Sequence, residues 1–244
     1  MKHEWWLPTR IDGEEWLDQG LGTVEALEQS LADLNRINRW LGGMRSLACH
    51  LYPRLRRCDA APVKVLDLGA GGCAIPMAIA RWARLAKTPL CVVALDRRHP
   101  HLRWAQRSIR HWPEISLLQG DAYAPPFPDS SIDIVISSLF LHHFSEAELV
   151  QLLPRWVRLA RRSVVMSDLV RHPLPYWFIK ATSPVFARSP MTRHDAAVSI
   201  RRAYRPQELH AVAAAAGFPE AQIFRHSPYR MTLVIDHAEA RPAC

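Results

Sequence analysis

Residues 63–80 constrain the fold of this chain more than any other stretch, because their character changes twice over a short distance. An apolar run over residues 63–68 is typical of a strand buried on both faces. Gly69 and Gly71 follow it and are typical of a turn that brings the backbone close to a ligand. Residues 74–86 are rich in Ala, Ile, Leu and Met at helical spacing. The stretch therefore predicts a strand, a glycine turn and a helix, an arrangement that suits a bound adenosine cofactor.

The kind of cofactor is indicated by Asp67, which precedes the first glycine and gives the string Asp-x-Gly-x-Gly. A dinucleotide site has Gly-x-Gly-x-x-Gly instead, and binds a pyrophosphate at the helix N-terminus. A carboxylate just below the turn would repel pyrophosphate but could pair with an ammonium group. S-adenosylmethionine has such an ammonium group and no phosphate, so it is the favoured cofactor. The alternative is a tight structural turn in an α/β domain that binds no nucleotide.

The rest of the chain alternates strands and helices, which predicts a doubly wound α/β fold with a mostly parallel sheet. Further strands are predicted at residues 90–95, 115–118, 134–136 and 163–167, a last helix at residues 207–216, and an antiparallel closing pair at residues 221–224 and 231–235. An amphipathic helix at residues 23–41 precedes the core. We therefore expect an N-terminal helical cap over residues 1–60 and a catalytic domain over residues 61–244.

The glycine turn resembles motif I of the class I S-adenosylmethionine-dependent methyltransferases, with Cys73 in the place of the family's third glycine. The closing helix string YRPQELHAVAAAAGF also resembles this family. In the resemblance, Asp96 would bind the ribose hydroxyls, Asp121 the adenine amino group, and the amide of Ala122 the adenine ring. The alternative for Asp96 is an N-cap of the following helix. The full set of cofactor contacts expected is Asp67, Gly69, Gly71, Asp96, Asp121, Ala122 and Ser137.

The segment after the fourth strand, residues 139–144, resembles that of quinone-pathway methyltransferases and of methyltransferases encoded beside bacterial type III polyketide synthases. This resemblance implies O-methylation of a small phenolic or polyketide-derived acceptor. His142 and His143 would stand where an acceptor hydroxyl arrives, and an imidazole can remove its proton near neutral pH. Asp168 ends the fifth strand and is a third catalytic candidate, because strand ends line the crevice of such sheets. The alternatives are a helix cap and a core position for the histidines, and a salt bridge for Asp168.

Residues 171–205 interrupt the alternation and hold aromatic residues among prolines. In the family that the chain resembles, an insertion at this place commonly forms a lid over the substrate, and aromatic side chains suit an apolar acceptor. The substrate contacts predicted here are Arg171, Tyr176, Trp177 and His194. The alternative is a helix that only completes the core.

Composition limits the remaining functions. The 244 residues carry a formal net charge of +8, which is compatible with a nucleic-acid partner, but the basic runs are short and scattered. The five cysteines have no metal spacing, so neither a metal site nor a disulfide framework is predicted. With no signal segment and no long apolar run, we expect a cytosolic protein with a small aromatic acceptor as its partner. C-methylation of a quinone-type ring, RNA methylation and a non-catalytic cofactor-binding subunit remain as alternatives.

Overall fold

A seven-stranded sheet carries the fold of the computed structural model, which describes residues 9–20, 22–56, 61–187 and 189–237. Its strands are β1 (Val63–Leu68), β2 (Leu90–Asp96), β3 (Ile115–Gln119), β4 (Ile132–Ser138), β5 (Ala160–Leu169), β6 (Gln222–His226) and β7 (Arg230–Asp236). They lie in the order β3-β2-β1-β4-β5-β7-β6. Neighbours among β1 to β5 pair in parallel, and β7 pairs antiparallel with both β5 and β6. The predicted doubly wound, mostly parallel sheet with an antiparallel final strand is confirmed.

The strand order reverses between β1 and β4, which pair side by side although β2 and β3 lie between them in sequence. In open α/β sheets ligands bind in the crevice outside the carboxyl ends of the strands at this reversal. Gly69 follows β1 and Leu139 follows β4, so the glycine turn and the histidine segment enter the same crevice. The fold therefore brings together two stretches that lie about seventy residues apart in the sequence.

Helices cover the sheet and its carboxyl edge. In chain order they are α1 (Trp16–Gln19), α2 (Val24–Trp40), α3 (Gly43–Leu55), α4 (Ala74–Ala86), α5 (His99–Ser108), α6 (Glu146–Leu159), α7 (Pro173–Phe186), α8 (Pro190–Arg202) and α9 (Pro206–Ala215), with a 3-10 turn at Leu141–His143. Thr23 caps α2 by accepting a hydrogen bond from the Ala26 amide at 3.2 Å. Gly42 then adopts a left-handed φ of +77°, which lets α3 begin directly after α2.

The two faces of the sheet bury separate cores. Helices α3, α4 and α5 pack on one face, where Leu47, Leu51 and Leu55 recur at helical spacing. Helices α6 and α9 pack on the other face, around the buried Trp156. The Trp156 indole donates a hydrogen bond of 2.8 Å to the Ala122 carbonyl oxygen, because a buried indole N–H needs an acceptor. This bond fixes the loop after β3, which carries the predicted adenine contacts.

The predicted lid insertion forms α7 and α8, and these helices lie together with α1 and α2 at the carboxyl edge of the sheet. Helix α8 packs against α1, α2 and α7. The predicted domain boundary after residue 60 lies next to residues 57–60, which are outside the described ranges. Two of the five cysteines, Cys58 and Cys244, are outside these ranges as well. Among the helices described, none combines the length and the hydropathy needed to cross a membrane.

Candidate active site

A cavity of about 770 Å³ opens at the carboxyl ends of β1, β2 and β4. Its size falls within the range of small-molecule sites, about 300–1,000 Å³. The floor is formed by the glycine turn and the loops after β2, β3 and β4, and the roof by α2, α7 and α8. The predicted residues that line it are Asp67, Gly69, Gly71, Asp96, Asp121, Ala122, His142 and His143.

The glycine turn needs its first glycine for steric reasons. Gly69 has a φ of +70°, and a Cβ built on it would lie 2.5 Å from the Phe140 ring. Gly71 has a φ of +49° and faces open space, with only Leu31 at 4.0 Å from a Cβ placed there. A cradle of bare backbone therefore faces the cavity at Gly71, as expected where a ligand approaches the chain closely.

Cys73 occupies the third-glycine position with a left-handed φ of +61°. Its side chain is fully buried in the core beneath the sheet, among residues such as Val65 and Ile79, and it does not line the cavity. Burial raises the pKa of its thiol above the usual range, so the thiol stays protonated and unreactive. The departure from the family motif therefore strains the backbone without placing a side chain in the cavity.

Asp67 is buried at the end of β1 and lines the cavity. Burial raises the pKa of its carboxyl well above the usual range, and the charge of Asp96 raises it further. An ionised carboxylate in this position is costly until a cation is bound close to it. The ammonium group of S-adenosylmethionine is a cation of suitable charge, so this residue fits the expected cofactor.

Asp96 ends β2, and both of its carboxylate oxygens accept hydrogen bonds of 2.8 Å from the backbone: Oδ2 from the Gly71 amide and Oδ1 from the Arg98 amide. The N-cap of α5 is Arg98, so Asp96 does not occupy the alternative position considered for it. Each oxygen has a second lone pair, and can also accept from a ribose hydroxyl.

His101 was not predicted from the sequence but lies beside Asp96. Its Nδ1 is 3.4 Å from Asp96 Oδ1, the residue is buried, and it lines the cavity. Neither ring nitrogen has a hydrogen-bond partner in the described part of the chain. Buried polar atoms are rarely left unpaired in a protein's working state. This imidazole therefore fits a ligand that brings hydroxyl groups, such as the ribose of an adenosine.

The adenine end of the predicted site lies at the loop after β3. Asp121 is exposed at the cavity wall, and its Oδ1 accepts a hydrogen bond of 2.9 Å from the Tyr123 amide. Ala122 is buried beside it, and its carbonyl is held by Trp156. The loop is thus held in place from both sides, which suits recognition of a planar base.

His142 lies at the centre of a buried ionic cluster. Its Nδ1 is 2.8 Å from Asp168 Oδ1, its Nε2 is 3.2 Å from Glu15 Oε1, and all three residues are buried. Burial acts to lower the pKa of His142, but the two carboxylates outweigh it and raise the pKa to about 10. Burial likewise acts to raise the pKa of Asp168 and of Glu15, yet His142 lowers both, and His143 also lowers that of Glu15. His142 is therefore an imidazolium at neutral pH, held between two carboxylates.

His143 is half-buried at the cavity wall, and its ring centroid lies 4.3 Å from that of His142. One donor atom each from Glu15, His142 and His143 lies within 4.8 Å of the others. Two imidazoles and a carboxylate could hold a transition-metal ion, with Asp168 orienting His142 from behind. In the metal-free arrangement the proton on His142 satisfies the same carboxylates.

Several predicted residues lie outside the cavity. Ser137 is buried within the sheet, and its neighbour Ser138 lines the cavity instead, because successive strand residues point to opposite faces. Arg171 is buried away from the cavity and donates to the Ala203 carbonyl at 2.8 Å and to Glu208. Of the aromatic lid residues predicted as substrate contacts, Trp177 faces solvent with 59% of its surface exposed.

Tyr176 and His194 line a smaller pocket between α7 and α8. His194 also stacks on Trp16 at 4.1 Å, and its Nδ1 is 2.9 Å from Asp195. The α7 side chains that do line the main cavity are Leu174, Pro175, Phe178 and Ile179. Helical periodicity explains this difference, because residues four apart share one face while Tyr176 and Trp177 point elsewhere.

Two further cavity residues, Glu15 and Arg230, were also missed. Glu15 precedes α1 in a segment without a periodic pattern, and reaches His142 across 127 positions of sequence. Arg230 begins β7, in a string that predicts only a strand of the antiparallel closing pair. No local signal identifies either residue, since each acquires its surroundings only when the chain folds.

Comparison with known sequences agrees with this geometry. Residues 65–163 match the family model described as a methyltransferase domain. Over 84 residues the chain is 34% identical to a malonyl-[acyl-carrier protein] O-methyltransferase of Xylella fastidiosa. That match covers 34% of this chain and 27% of the relative, so the chain is aligned with about a quarter of the relative's length.

Solved structures share the fold. An S-adenosylmethionine-dependent methyltransferase from Aquifex aeolicus superposes with a TM-score of 0.57 at 13% identity, covering 84% of this chain and 97% of the other. The magnesium protoporphyrin IX methyltransferase of Synechocystis, solved with bound S-adenosylmethionine, gives 0.54 at 13% identity and covers 84% of each chain. Sequence match and fold agree: residues 65–163 match a methyltransferase domain, and the chain has the fold of S-adenosylmethionine-dependent methyltransferases.

Proposed function

We propose that the protein transfers a methyl group to an oxygen atom of a small, phenolic or polyketide-derived acceptor. One observation carries this proposal: a single cavity contains both the acids at the ends of β1 and β2 and the histidine cluster after β4. Two reactants bound at these two ends would share one enclosed space. Alignment and exclusion of water are the main requirements of an in-line displacement.

At the cofactor end, each group has a suitable protein partner. Asp67 would bind the ammonium group, Asp96 and His101 the ribose hydroxyls, and Asp121 with the Ala122 amide the adenine. When bound, S-adenosylmethionine supplies the methyl group on a sulfonium centre. The protein's own task is to hold and orient the reactants, which the fixed backbone of the glycine turn and the Trp156–Ala122 bond support.

At the acceptor end, the two histidines take different roles. His142 already carries its proton at neutral pH, because its pKa is raised to about 10, so it cannot accept another. Both of its ring nitrogens are engaged by carboxylates, so His142 holds the segment after β4 in place beside the acceptor. The acceptor hydroxyl, whose pKa as a phenol is about 10 in water, must then give its proton to another base. His143 faces the same cavity and accepts the hydroxyl proton. Asp168 and Glu15 act as positioning residues that keep His142 charged.

The similarity to a malonyl-[acyl-carrier protein] O-methyltransferase favours oxygen over carbon as the atom methylated. C-methylation of a quinone-type ring and RNA methylation are therefore secondary. A direct test incubates the protein and labelled S-adenosylmethionine with one acceptor class at a time: phenols, quinol-type rings or RNA. NMR of the product identifies the methylated atom. Transfer to phenolic oxygen supports the proposal. Transfer only to ring carbon or to RNA, or no binding of S-adenosylhomocysteine at millimolar concentration, contradicts it.

The proton-transfer assignment has its own test. We expect His143→Ala to lower kcat by about 10²–10⁴-fold, the usual contribution of a general base, while the Kd for S-adenosylhomocysteine stays unchanged. Asp168→Asn removes a charge that raises the pKa of His142, so this pKa should fall in an NMR titration and the alkaline limb of kcat/KM should move to lower pH. His194→Ala, outside the cavity, is the control and should leave kcat unchanged. Full activity of His143→Ala would remove it as the base.

A further inference from the structure

Arg230 is a buried cation at the acceptor end of the cavity. It begins β7, pairs with Leu169 of β5, is only 2% exposed, and lines the cavity. Its Nε donates a long hydrogen bond of 3.3 Å to the Leu41 carbonyl oxygen. Its Nη1 has no hydrogen-bond partner among the residues described. A guanidinium with an unused donor thus borders an enclosed space.

Such an arrangement is costly unless an anion completes it. Burial lowers the pKa of Arg230 to about 10, and the charge of Asp168 opposes this only in part. Asp168 is itself engaged by His142 through Nδ1 at 2.8 Å and by the Leu169 amide at 2.7 Å. A buried charge with an unsatisfied donor is destabilising until a partner is bound.

A second arginine at the cavity, Arg202, has hydrogen-bond partners for all three of its guanidinium nitrogens. Arg202 is also buried, and it donates to the carbonyl oxygens of His142, His143 and Gly13 at 3.1, 2.7 and 2.9 Å. These three bonds tie α8 to the histidine segment and occupy the guanidinium. Arg202 is therefore structural, whereas Arg230 keeps a donor for a ligand.

The end of α2 and three leucines complete the wall around Arg230. Asn38 lies on α2, one turn before the C-cap Leu41, and lines the cavity, while its buried Oδ1 packs against Gly43. Residues three apart on a helix share one face. Leu41, Leu169 and Leu174 give the remainder of this wall an apolar character. The combination suits an apolar body that carries an anionic group.

We propose that Arg230 binds a carboxylate of the acceptor, so that the protein acts on an organic acid. This inference rests on the proposed function, because the site is the acceptor end of the same cavity. A guanidinium binds carboxylates through paired N–H donors, and the hydroxyl of the same acceptor is the group that the proposed function methylates. The acceptor class is then a hydroxylated carboxylic acid with an apolar body.

The cofactor also has a carboxylate, at its methionine end, but its place in the sheet is different. The cofactor acids stand on β1 and β2, whereas Arg230 stands on β7, three strand spacings from β1. At about 4.8 Å per spacing, this separation is roughly 14 Å. Arg230 is instead next to β5, which carries Asp168 and holds His142. Its position therefore favours the acceptor as the source of the carboxylate.

The test uses the full chain saturated with S-adenosylhomocysteine and calorimetry with two probe pairs: salicylate with salicylamide, and octanoate with octanamide. Each pair compares a carboxylate with a neutral amide of the same shape. We expect the acid of at least one pair to bind the wild type about tenfold more tightly or better, equivalent to 1.4 kcal/mol. Equal binding of acid and amide in both pairs overturns the proposal without any variant.

Variants assign the effect to Arg230. Arg230→Gln should abolish the preference for the acid, and Arg230→Lys should retain part of it, because the charge remains while the fork geometry is lost. Arg225→Gln, an exposed arginine on the adjacent strand β6, is the matched control and should keep the full preference. Thermal melting checks that each variant is folded. A preference that survives in folded Arg230→Gln overturns the proposal.

Binding of S-adenosylhomocysteine separates the two sources of carboxylate and the two proposals. We expect its Kd to be the same in Arg230→Gln and the wild type. A loss of its affinity in the folded variant assigns Arg230 to the cofactor's carboxylate and overturns the acceptor site. If the wild type does not bind S-adenosylhomocysteine, the proposed function fails, and this inference with it. If it binds but does not distinguish acids from amides, only this inference fails.

Discussion

Cys73 shows how a single residue can depart from a motif without altering the site. Its left-handed φ of +61° strains the backbone, but the thiol lies in the core and the cavity face of the turn is formed by Gly71. We therefore expect Cys73→Gly to leave the Kd for S-adenosylhomocysteine unchanged within about twofold, which is below 0.5 kcal/mol. Calorimetry measures this directly.

Gly69→Ala is the matched control for this prediction. Its new Cβ would lie 2.5 Å from the Phe140 ring at a φ of +70°, so the turn must shift and affinity should fall. A marked gain in affinity for Cys73→Gly would instead show that the cysteine distorts the cofactor site.

Asp67 combines a cost in stability with a role in binding. Its folded-state pKa is raised, so its ionisation reduces stability progressively as the pH rises from the unfolded value near 4 through the folded pKa. We expect Asp67→Asn to unfold at a higher temperature than the wild type at pH 8, with the difference shrinking at pH 4. The same variant should bind S-adenosylmethionine about tenfold or more weakly, since a charged partner for the ammonium is lost.

Asp133→Asn provides the comparison for Asp67→Asn. Asp133 is equally buried, but it accepts hydrogen bonds from the Lys64 amide at 2.9 Å and from Arg161 at 3.1 Å, and it does not line the cavity. Its variant should be less stable than the wild type and should bind the cofactor normally. If Asp67→Asn melted below the wild type at pH 8, the carboxylate would have a stabilising partner.

The cavity residues that the sequence identifies can be recognised from their position relative to predicted strands. Asp67, Asp96 and Asp121 each follow or end a predicted strand, and parallel strand ends meet at one edge of a sheet. Glu15, His101 and Arg230 have no such signal, because their importance comes from contacts between distant segments. The sequence predicts a contact at Ser137, whereas Ser138 lines the cavity, because the sequence leaves the register of the final strand residues undetermined by one position.

Helix α7 contributes one face to the cavity, and its sequence does not reveal which. Leu174 and Phe178, four residues apart, line the cavity although both are more than half exposed, at 62% and 52%. Tyr176 and Trp177 are aromatic like Phe178 but lie outside the cavity. Apolar residues occur on both faces of this helix, so periodicity alone could not select the acceptor contacts.

Phe178→Ala tests the assignment of this face. We expect the KM for the acceptor to rise about tenfold, which corresponds to 1.4 kcal/mol of lost apolar contact, while the Kd for S-adenosylhomocysteine stays unchanged. Trp177→Ala is the matched control, because Trp177 belongs to the same turn but points away from the cavity. An equal rise in KM for the two variants would mean that α7 binds the acceptor through its outer face or in another orientation.

At the scale of the whole molecule, the sheet could be predicted almost completely, because its strands are continuous apolar runs separated by helical patterns. The order of the elements and the antiparallel closing pair followed from the same signals. What could not be predicted is how the roof is assembled. Helix α8 packs on α1, α2 and α7, and Arg10 donates to the Arg202 and Phe144 carbonyl oxygens at 2.9 and 2.7 Å. The two hydrogen bonds of Arg10 join residues that are 192 and 134 positions apart.

The division of the molecule into a sheet and a helical roof over the cavity predicts how it responds to its cofactor. A ligand that binds only the folded state stabilises it by RT ln(1 + [L]/Kd), about 2.7 kcal/mol at a hundred times Kd.

Helices α2, α7 and α8 line the cavity, whereas α6 and α9 pack on the sheet face beneath it. We expect S-adenosylhomocysteine to slow amide hydrogen exchange most in residues 31–40 of α2 and in the glycine turn, and to slow it little in α6 and α9 under conditions of local opening. Exchange measured by mass spectrometry, with Asp67→Asn as a control that binds the ligand weakly, checks this. Equal slowing in all helices would mean that the roof and the sheet open as one cooperative unit, and that α2 does not close over the cofactor independently.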